Sequence, residues 1–212
     1  MDGQALPHSM RIPVASHRPA ATAKPGAKER PVDPDAEVVS QVLDGDTDAF
    51  ALLVRRHQRG IYYLCLRYLR SEPDAADLAQ RVLLRAYEKL GSFRGQATFR
   101  TWIYRIAVNL CLNAIRDAQR HATTPLDEGT LGVEASQHHQ AERSAQRQLL
   151  RQAVDRLPPK QRMTVILRVY QDLPFAEVAE ILGSSENSAK VNYHHAMKRL
   201  RQLVAMKEAS GS

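Results

Sequence analysis

The chain has 212 residues, enough for one or two domains, and a net charge of +7, with a pI near 9.6 that favours a polyanionic partner. No apolar run approaches the roughly 18 residues of a membrane span, and the N-terminus lacks the apolar core of a signal peptide, so membrane insertion and secretion are not expected. The two cysteines, Cys65 and Cys111, each lie in an apolar helical pattern and read as reduced core thiols of a cytoplasmic protein rather than as a disulfide or metal ligands.

Residues 1–34 carry six prolines, scattered basic residues and few large apolar ones. Such a segment cannot bury enough surface to order itself and reads as a disordered basic tail. From Asp35 to Arg120 the pattern is helical. Asp46-Thr47-Asp48 supplies a capping region. Phe50, Leu53, Val54, His57, Ile61, Leu64 and Tyr68 then recur at three- and four-residue steps. A break containing Pro73 precedes a helix over 74–90, ended by Gly91. Its buried side is Ala75, Leu78, Ala79, Val82, Leu83, Ala86 and Leu90. The loop 93–99 leads into a long helix from about Thr98 to Gln119. Residues 121–143, polar and without a sustained period, read as a flexible linker, and His138-His139 within them makes no metal-ligand spacing. Helices resume near Ser144, stop at Leu157-Pro158-Pro159 and run again from Lys160 to Tyr170. The chain from Leu173 to Arg201 then has the spacing of a helix-turn-helix, with Val178, Ala179 and Leu182 facing inward and Gly183 at the turn. The fold class expected is all-α: two small helical domains, 35–120 and 144–207, joined by the linker.

Three surfaces carry chemistry. On the last helix Ala189, Tyr193, Ala196 and Leu200 form a buried stripe. The opposite side presents Asn187, Lys190, Val191, His194, His195 and Lys198, and no acidic residue occurs from Asn187 to Lys207. That distribution suits base edges and phosphates in a major groove. On the helix 98–119, Phe99, Ile103, Ile106, Leu110 and Ala114 form the expected buried stripe. Arg105, Asn109, Asn113, Arg116 and Arg120 form a second, polar one. Trp102 sits one turn before Arg105, either packed in the core or available to stack on an unpaired base. The adjoining loop offers Arg94, Gly95, which permits close backbone approach, and Gln96, whose amide can read a base edge. On the helix 74–90, Asp77, Gln80, Arg81 and Leu84 make a mixed face with an apolar centre, better suited to a protein than to DNA. There is no carboxylate cluster, metal-ligand spacing, phosphate-binding Gly loop or Ser/Cys–His arrangement. No enzymatic activity and no cofactor are therefore expected.

Together these segments resemble the extracytoplasmic-function (ECF) sigma factors of bacterial RNA polymerase. The matching pieces are Asp44-Gly45-Asp46 with Ala49-Phe50, DAADLAQ over 74–80, FRGQATFRTWIYRIAVN over 93–109, LPPKQR over 157–162, and the helix-turn-helix. The resemblance implies a sigma-2 domain over 35–120 and a sigma-4 domain over 144–207. It implies that Asp77, Gln80, Arg81 and Leu84 dock on the clamp of the polymerase's largest subunit. Arg94, Gly95, Gln96, Trp102, Arg105, Asn109, Asn113 and Arg116 would hold the flipped base and non-template strand of the minus-ten element. Asn187, Lys190, Val191, His194, His195 and Lys198 would read the minus-thirty-five element. Core polymerase, promoter DNA and an anti-sigma factor are the partners implied. Two departures stand out: Arg81 where the family is usually acidic, and Lys190-Val191-Asn192-Tyr193-His194-His195 where it usually carries several arginines. The alternative is a stand-alone helix-turn-helix regulator, which leaves the loop 93–99 and the Arg/Asn stripe without a role.

Overall fold

The computed structural model describes residues 33–121 and 148–210, with side chains over 33–117 and 148–205. The expected tail and linker therefore lie outside the described residues, except for Asp33, Pro34 and His121. Among the described residues every regular element is helical.

The N-terminal bundle begins with α1 (Ala36–Leu43), which buries Val38, Val39 and Val42. Gly45, at φ +112°, reverses the chain. The Asp46 carboxylate then accepts the N–H groups of Asp48 and Ala49 and starts a 3₁₀ turn (Thr47–Ala49) that runs into α2 (Phe50–Leu69). Helix α2 buries Phe50, Leu53, Ile61, Leu64, Cys65 and Tyr68, with Val54 and His57 half-buried at the same face.

Helix α3 (Glu72–Lys89) starts two residues earlier than expected. Ser71 is its cap, accepting the N–H of Asp74, and Pro73 sits in the first turn instead of breaking the chain. A first-turn proline gives up an N–H that has no intrahelical partner in any case. Its buried side follows the expected stripe, with Leu83 only half-buried.

Helix α4 (Phe99–His121) departs further from expectation. Phe99 and Ile103 are buried, but Ile106, Leu110 and Ala114 are only half-buried. The fully buried positions are instead Thr101, Tyr104, Ala107, Val108 and Cys111. The reason is that α4 is covered on more than one side: it packs on α2 and α3 and also against a helix of the C-terminal unit. A stripe drawn for a helix with one covered side turns away from that second contact.

The C-terminal unit is helical over 148–155 (α5) and from Pro159 to Val165 (α6), which continues as a wider π-helical stretch over Ile166–Tyr170. Helix α7 (Phe175–Ile181) and α8 (Glu186–Ser210) follow. The turn between them has Gly183 at φ +60°, with the N–H of Ser184 bonded to Ala179 O and that of Gly183 to Glu180 O, the closure of a left-handed helix end. Ser185 caps α8 through the N–H of Ser188. Val178 and Ala179 are buried as expected, but Ile181 replaces Leu182, which sits half-buried at the helix end.

One apolar cluster runs from the bundle through Met163, Ile166, Leu167, Leu173, Val178 and Ile181 to Ala189. A second holds Ala153, Val154, Leu157, Val165, Ala196 and Leu200.

Candidate polymerase and nucleic-acid interfaces

The four residues expected to meet the polymerase, Asp77, Gln80, Arg81 and Leu84, share the exposed side of α3. Arg81 reaches back to Asp77 at 3.7 Å, and Leu84 stands 60% exposed between charged neighbours. Because Ala75, Leu78, Ala79, Val82 and Ala86 fill the core side, helical periodicity forces this second row outward. A large apolar side chain surrounded by ions is a usable protein contact.

The start of α4 is fixed by a residue far away in sequence. Asp33 Oδ2 accepts the N–H of Phe99 at 2.7 Å, and its Oδ1 accepts the N–H of Asp35 at 3.0 Å. Asp35 is itself buried, bonded to His57 Nε2 at 2.7 Å and to Arg56 Nη1 at 2.8 Å. The chain before α1 thus clamps the loop 93–98 to the bundle. Sequence reading missed Asp33 and Asp35, and placed Asp33 in the tail. Their only signal was an Asp-Pro-Asp triplet without local partners.

Around that start, Phe93, Phe99 and Trp102 pack as an aromatic cluster, with centroid separations of 5.4–6.0 Å. Trp102 is half-buried against the other two rings and so takes part in packing while keeping one edge outside. Arg94, Gly95 and Gln96 are exposed beside it, and Gly95 sits at φ +62°, a backbone state that suits glycine. Further along α4, Asn109, Asn113 and Arg116 are exposed, and Arg116 Nη1 donates to Asn113 Oδ1 at 3.1 Å. Arg105 differs from them. It is half-buried, and its Nη2 meets Glu180 Oε1 of α7 at 3.3 Å. The side chain of Arg120 lies outside the described residues.

On α8, Asn187, Lys190, Val191, His194, His195 and Lys198 are all exposed, while Ala189, Ala196 and Leu200 are buried and Tyr193 is half-buried. Lys190 Nζ is held by Glu186 Oε1 at 2.7 Å, one turn back, and the rings of His194 and His195 stand edge to face at 6.2 Å.

The junction between the two units is polar as well as apolar. Arg162 donates to Arg67 O at 3.1 Å, pairs with Asp155 at 2.8 Å and lies over the Tyr68 ring. Burial pulls its guanidinium below the usual range, and the neighbouring Asp155 opposes that shift. Burial likewise pushes the Tyr68 and Tyr104 hydroxyls up. Cys111 Sγ donates to Cys65 Sγ at 3.8 Å; both thiols are fully buried and free. That hydrogen bond, then burial, raises the Cys111 thiol well above its ordinary value.

An all-helical bundle followed by a helix-turn-helix unit, with an exposed basic face on each, defines a two-part nucleic-acid-binding protein. The family models agree: Sigma-70 region 2 matches residues 53–121 and Sigma-70, region 4 matches residues 147–200. Among curated relatives, the ECF RNA polymerase sigma factor SigM of Mycobacterium tuberculosis is 35% identical over 80% of this chain and 84% of its own length. SigW of Bacillus subtilis is 32% identical over 78% and 94%, and the sigma-E factor of Escherichia coli is 33% identical over 80% and 94%. The fold is shared with CnrH, solved with the cytosolic domain of CnrY, at a TM-score of 0.63 and 22% identity over 82% of this chain and 99% of that one. The sigma factor RpoE of Bartonella quintana, solved with the anti-sigma factor NepR, gives 0.61 and 20% over 74% and 96%. The chain belongs to the ECF sigma factors of RNA polymerase.

Proposed function

We propose that this chain directs core RNA polymerase to its promoters through three separate faces, and that it acts as a specificity subunit without catalysis of its own. The face Asp77, Gln80, Arg81 and Leu84 binds the clamp of the largest subunit. The loop 94–96 with Trp102, Arg105, Asn109, Asn113 and Arg116 holds the melted minus-ten strand. The α8 face from Asn187 to Lys198 reads the minus-thirty-five duplex. The domain limits that follow are 35–120 and 144–207, with 121–143 as the tether.

The observation that supports this reading most directly is the start of α4. An exposed Arg94-Gly95-Gln96 loop stands beside an aromatic cluster and leads into a row of Asn and Arg side chains. Duplex binding needs no such loop. Taking a base out of the stack costs a few kcal/mol, offset by contacts to the flipped base and the strand. Each unit alone makes few contacts, and tethering both to one polymerase makes the second contact effectively intramolecular.

The chain works in the cytoplasm, where polymerase is; among the described residues no helix is long and apolar enough to cross a membrane. A structural relative solved with an anti-sigma factor supports control by such a partner here. Run-off transcription with purified core polymerase on a promoter library tests the reading. Initiation that depends on this chain is expected. If no template initiates while the chain alone footprints duplex sites, the stand-alone regulator replaces it.

A further inference from the structure

At the end of α2 the bundle and the C-terminal unit border a cleft of about 300 Å³. Arg67 and Arg70 line it from α2 and Arg151 from α5, while Val154, Ile166 and Tyr170 supply apolar surface. None of these residues belongs to the three faces assigned to polymerase and promoter. Arg67 lays its guanidinium over the Tyr170 ring at 3.7 Å, and its Nε has no hydrogen-bond partner among the described residues. Arg70 ends α2 in the left-handed region, at φ +66°, where a residue with a Cβ is disfavoured. Its side chain holds it there: Nε donates to Asp155 Oδ1 at 2.9 Å and Nη2 to Arg151 O at 3.2 Å, which leaves Nη1 for a ligand.

The charge around the cleft is unbalanced. Asp155 Oδ1 also takes Arg162 Nη2 at 2.8 Å, so one carboxylate oxygen serves two guanidiniums. Arg67 and Arg151 have no carboxylate partner among the described residues. Four cations against one anion leave a surplus of three. The crowding shows at Arg162: burial pulls its guanidinium below the usual range, Asp155 opposes that shift and Arg70 adds to it. Guanidinium forks match phosphate oxygens two at a time. One phosphate monoester carries about −1.5 to −2, so a surplus of three calls for a second phosphate. On the apolar side Leu150 and Tyr170 stand 44% and 39% exposed, a surface that suits a flat ring. A volume at the low end of the roughly 300–1,000 Å³ usual for small-molecule sites admits one nucleotide rather than a strand.

We propose that this cleft is a binding site for a nucleoside diphosphate, with Arg67, Arg70 and Arg151 holding the two phosphates and Leu150 and Tyr170 flanking the base. Arg162, fixed behind them by Asp155 and Arg67 O, adds to the field without touching the ligand. Because the ligand binds the folded chain and not the unfolded one, it stabilises the fold by mass action.

The test is isothermal titration calorimetry on the full-length chain at fixed pH and ionic strength, with ADP, GDP, AMP and pyrophosphate as probes and thermal unfolding as a second reading. ADP or GDP should bind and raise the Tm. AMP, which lacks the second phosphate, and pyrophosphate, which lacks the ring, should each bind at least about tenfold more weakly than the tighter diphosphate. Arg151→Gln should weaken that nucleotide at least fivefold. Arg55→Gln, which removes the same charge from an exposed position of α2 outside the cleft, should change it less than twofold. Leu150→Ala should weaken the nucleotide and leave pyrophosphate unchanged. All three positions are exposed, and equal Tm values without ligand check that the variants fold. No binding of ADP or GDP at about 1 mM would overturn the site. So would equal losses from Arg151→Gln and Arg55→Gln, which mark adsorption to a basic surface. Pyrophosphate binding as tightly as the nucleotide would overturn the assignment of Leu150 and Tyr170 to a base.

Discussion

Replacing Asp33 with alanine isolates what a short acidic segment before α1 does for a loop 60 residues away. The carboxylate makes two hydrogen bonds to backbone N–H groups, at 2.7 Å to Phe99 and 3.0 Å to Asp35. Loss of a helix cap costs about 1 kcal/mol, within a range of roughly 0.5–2. Loss of a negative charge at a helix N-terminus adds roughly 0.3–1 kcal/mol. The total is about 1.3–2 kcal/mol, and at roughly 2–4 °C per kcal/mol for a chain of this size the expected fall in Tm is about 3–8 °C. Asp33→Asn keeps one of the two acceptor oxygens and loses the charge, so it should cost less than the alanine. Calorimetry on the three proteins at constant pH and ionic strength measures both steps. Because the first turn of α4 adjoins the 93–98 loop, Asp33→Ala should also weaken single-strand binding, and Asn should recover most of it. A Tm for Asp33→Ala within 1 °C of wild type, or an Asn variant as unstable as Ala, refutes the account of this residue as a cap.

Lys190→Ala should weaken binding to the upstream duplex by roughly 1–3 kcal/mol if it reads a base, and lower the salt dependence by about one charge; titrations at several salt concentrations check this. Arg105→Ala/Asn109→Ala should impair open-complex formation, followed by permanganate reactivity, while co-elution with core polymerase stays intact. Leu84→Asp removes an exposed apolar contact, so it should reduce that co-elution while changing thermal stability by less than about 0.5 kcal/mol. Cys65 and Cys111 should react with maleimide at least ~100-fold more slowly in the folded chain than after denaturation, since both are fully buried and the raised pKa of Cys111 further withholds its thiolate; mass spectrometry reads the label.

The elements themselves were largely legible. Phe50, Leu53, Ile61, Leu64 and Tyr68 mark one covered face of α2, and three-to-four spacing exposes such a face directly. Helix α8 was as clear, because its row of buried Ala189, Ala196 and Leu200 with half-buried Tyr193 leaves polar and basic residues, with Val191, on the other side. What failed did so for identifiable reasons. Pro73 reads locally as a breaker, and only its position relative to the Ser71 cap makes it a first-turn residue. The α4 stripe was rotated because Tyr104, Ala107, Val108 and Cys111 are covered by elements distant in sequence. Asp33 and Asp35 were invisible because their partners lie at Phe99 and His57. Local periodicity carries information about one neighbour, and these residues answer to two.

The contact between α4 and the C-terminal unit is held by polar and apolar contributions together. The Arg105–Glu180 pair is half exposed, and such pairs contribute about 0–1 kcal/mol. The buried hydrogen bond from Tyr104 to Gln171 adds about 0.5–1.5 kcal/mol, while the unpartnered Arg105 Nε costs about 1–3 kcal/mol. The hydrogen bonds of Thr101 to Glu177, of Arg100 to Gln171 and of Gln171 to Gly60 add to the favourable side, and the apolar cluster that continues through Ile166, Leu167 and Val178 packs beneath them.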